Sequence, residues 1–376
     1  MIEAQDAHHS VVYRDEHAYC AHPHVAASSG GAWMIVFNVA PRRKHVLHPP
    51  EEPLFRNVMI RSGDHGAHWT APQVVPSYEF SGAECAGLTP LSDGGVLLSQ
   101  WRFRWFPLDL ALARPDQSGL TYPEVFMRGR ADSPEHDADG LALASPREAA
   151  PWVRGPGETW VHRSDDNGAS FGQSVRMDTA QFSGGYAMRS GVELADGTVL
   201  LLLSDVPNYR RVFSVRSSDG GCTWSTPSLV AAGDGHAFEE PAVAISASGR
   251  LVAVLRDNET RHLHRVVSID GGHTWSPPRR LSIEGYPAHL LAMRDGRLLL
   301  TFGWRKADFG IRAALSSDDG ENWGVGDTIR IRGRLRNRNL GYPSTISADD
   351  HEFFTVYYAE DHSGCTCIMA TRWKAE

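Results

Sequence analysis

The chain has 376 residues, 41% of them hydrophobic and 22% charged, and carries a formal net charge of -8. That acidic balance argues against a dedicated nucleic-acid binder, which would carry a basic patch. No apolar run approaches a membrane span, Val199 to Leu203 being among the longest, so no membrane partner is expected either.

Met1 to Asp6 shows no basic region followed by an apolar stretch, so no signal peptide is visible. The expectation is a cytoplasmic protein, or a secreted or periplasmic one if a signal has been removed. Ser10 to Arg14 reads as an isolated strand. After it, apolar runs flank tight polar turns at Ser29-Gly30-Gly31, Asp93-Gly94-Gly95, Asp196-Gly197, Ser248-Gly249-Arg250, Asp295-Gly296 and Asp349-Asp350. These are hairpin signals.

A second phrase, Ser-x-Asp-x-Gly-x-x-aromatic, interleaves with the hairpins. It occurs at Ser62 to Trp69, Ser164 to Phe171, Ser217 to Trp224, Ser268 to Trp275 and Ser316 to Trp323, with starts 102, 53, 51 and 48 residues apart. A period near 50 residues announces a propeller or another repeat array. Short Ser and Asp side chains accept hydrogen bonds from turn N–H groups, Gly takes a positive φ, and the aromatic anchors the turn. The phrase is therefore a structural staple.

The staple begins 21, 20 and 21 residues after the hairpins at 196, 248 and 295, but 32 after the one at 30 and 71 after the one at 93. Repeats one and two thus carry insertions, about Pro41 to Leu54 and about Phe106 to Gly157. The expected fold is all-β: a single domain over 1–376, a six-bladed propeller of four-stranded antiparallel blades. The last blade lacks a strand, which about 10–14 would supply, closing the ring and covering an edge. The five scattered cysteines, Cys20, Cys85, Cys222, Cys365 and Cys367, read as free buried thiols, not a disulfide framework.

Hairpin and staple turns share one face of such a ring, so the starts of strand one and the ends of strand two share the other. That face also bears the insertions, and loops on a rigid scaffold are where sites are built. Strand-one starts bring His22, His24, Glu84, Tyr186, Arg189, Glu239, Glu240, Tyr286, His289 and Tyr342 there; strand-two ends bring His45, His48, Trp101, Arg102, Tyr209, Arg210, Arg256 and Arg305. In an acidic protein this is a cationic, aromatic mouth, suited to a planar anion on a sugar. His22-x-His24 and His262-x-His264 are two-residue matches to a metal pair, read as structural; no metal and no cofactor is demanded.

Staples of this form on six blades resemble the Asp-boxes of the sialidase superfamily, over nearly the whole chain. Phe238-Glu239-Glu240-Pro241, followed by a hairpin and Leu255-Arg256, resembles the sialidase segment with the Glu partner and the second carboxylate-binding arginine. Gly303 to Gly310 resembles the third-arginine segment, and Leu340 to Ser344 the nucleophilic tyrosine segment. The resemblance implies that Tyr342 attacks the anomeric carbon with Glu240 drawing off its proton, while Arg256 and Arg305 hold a carboxylate. Two departures stand out. Cys20 stands at the position of the first-blade arginine, and the stretch between Ala40 and Phe55 offers His45, His48, Glu51 and Glu52 but no acid/base Asp.

Three functions follow. The first is a retaining exo-glycosidase on a terminal carboxylated sugar, an exception to the two-carboxylate scheme, with His22, His45, His48 or Glu84 protonating the leaving group. Its substrate contacts would be Arg256, Arg305, Arg189, Tyr186, Trp101, Arg102, Tyr209, Arg210 and His289. The second is a uronate lyase using His, Tyr and Arg for β-elimination. The third is a glycan-binding propeller without turnover. In each the partner is a glycan, and the oligomeric state is left open.

Overall fold

The hairpins and staples become six separate antiparallel sheets in the computed structural model, which describes residues 1–43, 52–76, 81–123, 147, 150–206, 208–324, 326 and 328–375. The fourth blade shows the common plan: Phe238–Ile245, Leu251–Asp257, His262–Ser268 and Arg279–Glu284 lie side by side in that order. The others follow it, with strand one at Ala18–Ala27, Ser81–Ala83 with Gly87–Pro90, Gly185–Tyr186 with Val192–Glu193, Tyr286–Ala292 and Leu340–Ser347. Each blade packs against the next, and the sixth against the first, so the ring closes. This is a six-bladed propeller.

Closure uses the amino terminus. Gln5–Tyr13 pairs antiparallel with Thr366–Lys374 as the outer strand of blade six. The pairing runs well beyond the expected 10–14 because Gln5 to His9 carry few apolar residues, and an outer strand half in water shows no alternation to read. Ile2–Glu3 continues past it and adds in parallel to Ile329–Arg332 of blade five.

Every staple forms the same local bonds. In the second, Ser164 Oγ accepts the Gly168 N–H at 2.8 Å, while Asp166 Oδ1 accepts the Ser170 N–H at 2.8 Å and the Ser164 hydroxyl at 2.8 Å. Gly168 has φ +75°, and a Cβ there would sit 2.6 Å from Met59 of the preceding blade. Phe171 completes the apolar seam of Met34, Met59, Leu88 and Leu98 between blades one and two. Trp224, Trp275 and Trp323 close the next seams in the same way. The staple thus pins each turn against its neighbour, which explains a fixed phrase at a fixed period.

Blade two departs most. Its middle strands run long, Val96–Pro107 and Trp152–Ser164, and the insertion leaves through a short helix at Leu108–Leu112. Four of the five cysteines are buried as expected, but Cys222 is exposed because it occupies a staple position that faces water.

Candidate functional site

The innermost strands are interrupted at equivalent places. The ladder shifts register between Ala21 and His24, between Glu239 and Ala242, between Tyr286 and Ala288, and between Gly341 and Ser344. At each the sequence places a residue before proline: His22-Pro23, Glu240-Pro241, Tyr286-Pro287 and Tyr342-Pro343. Proline has no N–H for the ladder, so a bulge forms there and re-aims the preceding side chain. His22, Glu240 and Tyr342 take φ of 56°, 51° and 53°, a left-handed conformation that strains a residue with a Cβ. Three strained residues meet at one point, as strain does at functional sites.

The Tyr342 hydroxyl donates to Glu240 Oε1 in a short hydrogen bond. Glu240 Oε2 accepts from Arg256 Nη1 at 2.7 Å, and Arg256 Nε lies 3.5 Å from Glu239 Oε1. The Asn258 amide caps Glu239. Arg256 and Arg305 lie over the Tyr286 ring at 4.9 and 5.7 Å from its centre. Arg305 donates to the Leu340 carbonyl at 3.0 Å and to the Tyr358 hydroxyl at 3.1 Å. The His22 ring meets Tyr342 edge-on, centres 4.4 Å apart. Burial, then the charge of Glu240, raises the Tyr342 phenol well above its usual value. The phenol therefore rests protonated, hydrogen-bonded to Glu240. Burial, then Arg305, Arg189 and Arg256, push His22 down to about 3, so its imidazole is neutral.

Glu84 lies within electrostatic reach of Glu240. Its carboxylate accepts a short hydrogen bond from the Tyr209 hydroxyl, while burial, reinforced by Glu240, lifts its pKa to about 7. The Tyr186 ring meets that of Tyr209, centres 6.3 Å apart, and lies within electrostatic reach of Glu240, Glu239, Glu84 and Tyr342. A buried polar chain fixes the Glu84 backbone. Asn57 donates to its carbonyl at 2.9 Å, Gln100 donates to Asn57 at 2.7 Å, and His162 contacts Gln100 at 3.0 Å.

Of the sequence candidates, the structure brings together Tyr342, Glu240, Arg256, Arg305, His22, Glu84, Tyr186 and Tyr209. Others lie elsewhere. Trp101 is buried against Gly157 and Gly184 in a core cluster, because the second blade's long hairpin continues past it. Arg102, on the other face of that strand, stacks over Trp160 at 4.7 Å and donates to the Pro76 carbonyl. Arg189 crosses the centre of the ring, donating from Nε to Ala288 and from Nη1 to Pro23 carbonyls, each at 3.2 Å. His289 is buried beside His24, their ring centres 6.1 Å apart. Arg210 stays on the exposed rim, 3.9 Å from Glu259. His45 and His48 lie outside the described residues. Cys20, expected at an arginine position, points into the core; the bulge turns His22 to the centre instead.

Sequence reasoning passed over Tyr358, Asn258 and Arg154, the last close enough to Glu84 to lower its pKa. The only signal was polar side chains inside otherwise apolar strand ends. His236, Asp257 and His264 also converge, a combination that can ligate a metal. The Asp257 oxygens, however, accept from the Ala237 N–H at 2.9 Å, His236 at 2.7 Å and Thr260 at 2.8 Å. Asp205 caps blade three likewise, accepting from the Ser183 N–H and from Arg211. The Asp257 group is thus a loop cap.

Residues 144–355, over half of the chain, match the family described as BNR repeat-like domain. No curated protein matches the sequence. Among solved structures, a protein of unknown function from Dyadobacter fermentans DSM 18053 is 23% identical with a TM-score of 0.79, covering 98% of this chain and 99% of that one. The NanB sialidase of Streptococcus pneumoniae is 11% identical with a TM-score of 0.68, over 97% of this chain and 70% of that one. The intramolecular trans-sialidase of Ruminococcus gnavus, solved with oseltamivir carboxylate, is 13% identical with a TM-score of 0.68, over 97% and 96%. These likenesses establish a sialidase-like propeller fold.

Proposed function

The chain belongs to the BNR repeat-like domain family, and from that premise we propose that it is a retaining glycosidase acting on a terminal carboxylated sugar. One observation carries the reading: the Tyr342 hydroxyl is bonded to Glu240, which Arg256 holds from the other side at 2.7 Å. A phenol needs a neighbouring base to become a nucleophile. In the first step the Tyr342 oxygen bonds to the anomeric carbon, its proton passes to Glu240, and the glycosidic bond breaks. The leaving oxygen takes a proton from Glu84 through the Tyr209 hydroxyl, a pair that stands in for the missing aspartate. Water, deprotonated by the same pair, then opens the tyrosyl intermediate, and Glu240 returns its proton to Tyr342. Arg305 holds the substrate carboxylate.

Aryl glycosides of carboxylated and neutral sugars test this. Turnover is expected only with a carboxylated sugar, with retained configuration in the first-formed product, and Tyr342→Phe should reduce it at least about 1,000-fold. An inverted product, or a fully active Tyr342→Phe, would exclude the tyrosine nucleophile.

The contact between a neutral His22 and Tyr342 supports a second reading, β-elimination from a uronate. It predicts an unsaturated product that absorbs in the ultraviolet when uronate polymers are supplied. Simple hydrolysis leaves that absorbance flat.

A further inference from the structure

Between blades four and five, beside Glu240, lies a cleft of about 470 Å3. Its charged lining is Arg256, Arg261, Arg305, Lys306 and Arg338 against one acid, Glu284. Lys306 pairs with Glu284 and Arg256 with Glu240, so those charges are matched. Arg305 donates to a carbonyl and a hydroxyl, which leaves its charge uncompensated. Arg261 is exposed and, among the described residues, has no ion pair and no side-chain hydrogen bond. It lies within electrostatic reach of Tyr286 and Glu284.

The backbone aims Arg261 deliberately. It follows the Asp257 cap by four residues, has φ 60°, and donates its N–H to the Asp257 carbonyl at 2.9 Å. Tyr209 follows the Asp205 cap by four residues, with φ 50° and the same bond at 2.7 Å. From that position Tyr209 reaches Glu84 inside the ring. Arg261 therefore occupies, one blade on, the position from which a side chain enters the site. A non-glycine residue held in this strained conformation twice is a positioned one.

We propose that this cleft is a two-anion subsite: Arg305 holds the carboxylate of the sugar that meets Tyr342, and Arg261 binds a second anionic group on that sugar or its neighbour. The second group is a sulfate ester or a further carboxylate, both matched by a guanidinium fork. The inference rests on the glycosidase reading for the orientation of the substrate, and it narrows the substrate class to polyanionic glycans.

Titration calorimetry at low salt on the full chain, wild type and Tyr342→Phe, tests it with two matched pairs of probes. One pair is unsulfated and sulfated chondroitin disaccharide; the other is galacturonic acid dimer with one carboxyl methyl-esterified and with both free. The second anion should tighten binding about tenfold in one pair, and the pair that responds identifies the group. Arg261→Ala should bring the doubly charged sugar down to the affinity of the singly charged one, with Arg261→Lys between. No gain in either pair, no binding at all, or a gain that survives Arg261→Ala overturns the proposal. Turnover by the wild type is read separately: a gain without turnover keeps the subsite and removes the glycosidase, and turnover without a gain does the reverse.

Discussion

Replacing Arg256 with methionine isolates the electrostatics of the centre. Methionine keeps an apolar stem against Tyr286 while deleting the charge that faces Glu240 at 2.7 Å and Glu239 at 3.5 Å. Both carboxylates are almost fully buried, with side-chain exposures of 3% and 7%, so water cannot readily replace the lost cation, and among the described residues only the Tyr342 hydroxyl and the Asn258 amide remain bonded to them. Breaking a buried pair from one side costs about 3 to 5 kcal/mol. Arg256 itself is 16% exposed, which lets water enter and argues for the lower end, about 3 kcal/mol. The loss must also depend on pH. Burial and Glu240 already raise the pKa of Glu239, while Arg256 and, less strongly, the Asn258 hydrogen bond lower it. Without Arg256 it rises further. A carboxyl group whose folded pKa lies above its unfolded value stabilises below the unfolded value and loses that contribution as pH rises through the folded one. The variant should therefore be about 3 kcal/mol less stable than wild type at pH 8, but only about 1 kcal/mol less at pH 5. Urea unfolding at both pH values, followed by tryptophan fluorescence, measures this. An equal loss at the two pH values would refute a charge-based account of the cluster.

Glu84 gives a related signature: its pKa is raised from 4.5 to about 7, so wild-type stability falls by about 3 kcal/mol as pH climbs through that window. Glu84→Gln should remove that share of the fall between pH 5 and 8 while the share from Glu239 remains, and an unchanged slope would place the proton elsewhere. Asp166→Ala removes the acceptor of three staple bonds and should lower stability by about 1 to 2 kcal/mol without moving KM. A change in KM would mean the staple reaches the site. Gly87→Ala would set a Cβ 2.4 Å from the Ala187 carbonyl oxygen and 2.5 Å from that of Arg189, both backbone atoms of the next blade that cannot rotate away. Melting should drop by several degrees or folding fail, and an unaltered melt would show that the seam can yield.

The staples could be read from sequence because everything they do is local. Ser164, Asp166, Gly168 and Ser170 satisfy one another within seven residues, so the phrase alone dictates the turn. Tyr342, Glu240 and Arg256 came from motif and ring closure, since a closed ring leaves inner strands one place to point. Depth along the axis was hidden. Arg189 and Tyr186 are three residues apart at one strand start, yet one spans the ring between backbone carbonyls and the other faces the carboxylates. Trp101 and Arg102 stand before an insertion that prolongs their strand, so they are interior, not terminal. The prolines after His22, Glu240, Tyr286 and Tyr342 were in plain view, but they gain meaning only once pairing shows that each sits at a bulge.

That difference in depth bears on how the centre works. Arg189 donates to carbonyls of blades one and five from blade three, so it ties three blades together across the axis. His24 and His289, both held neutral by burial and by Arg189, pack in the same layer, where His24 accepts the Leu88 N–H at 3.0 Å. Desolvation pulls Arg189 only to about 10, so it stays charged and attracts Glu240. The buried carboxylates Glu84, Glu239 and Glu240 thus face fixed cations rather than water. On the proposed mechanism the phenol proton would move to a base whose surroundings are already arranged, leaving little reorganisation for the transition state. Arg189 and His289, which the sequence suggested as substrate contacts, are here buried side chains, the first bonded to backbone carbonyls across the axis.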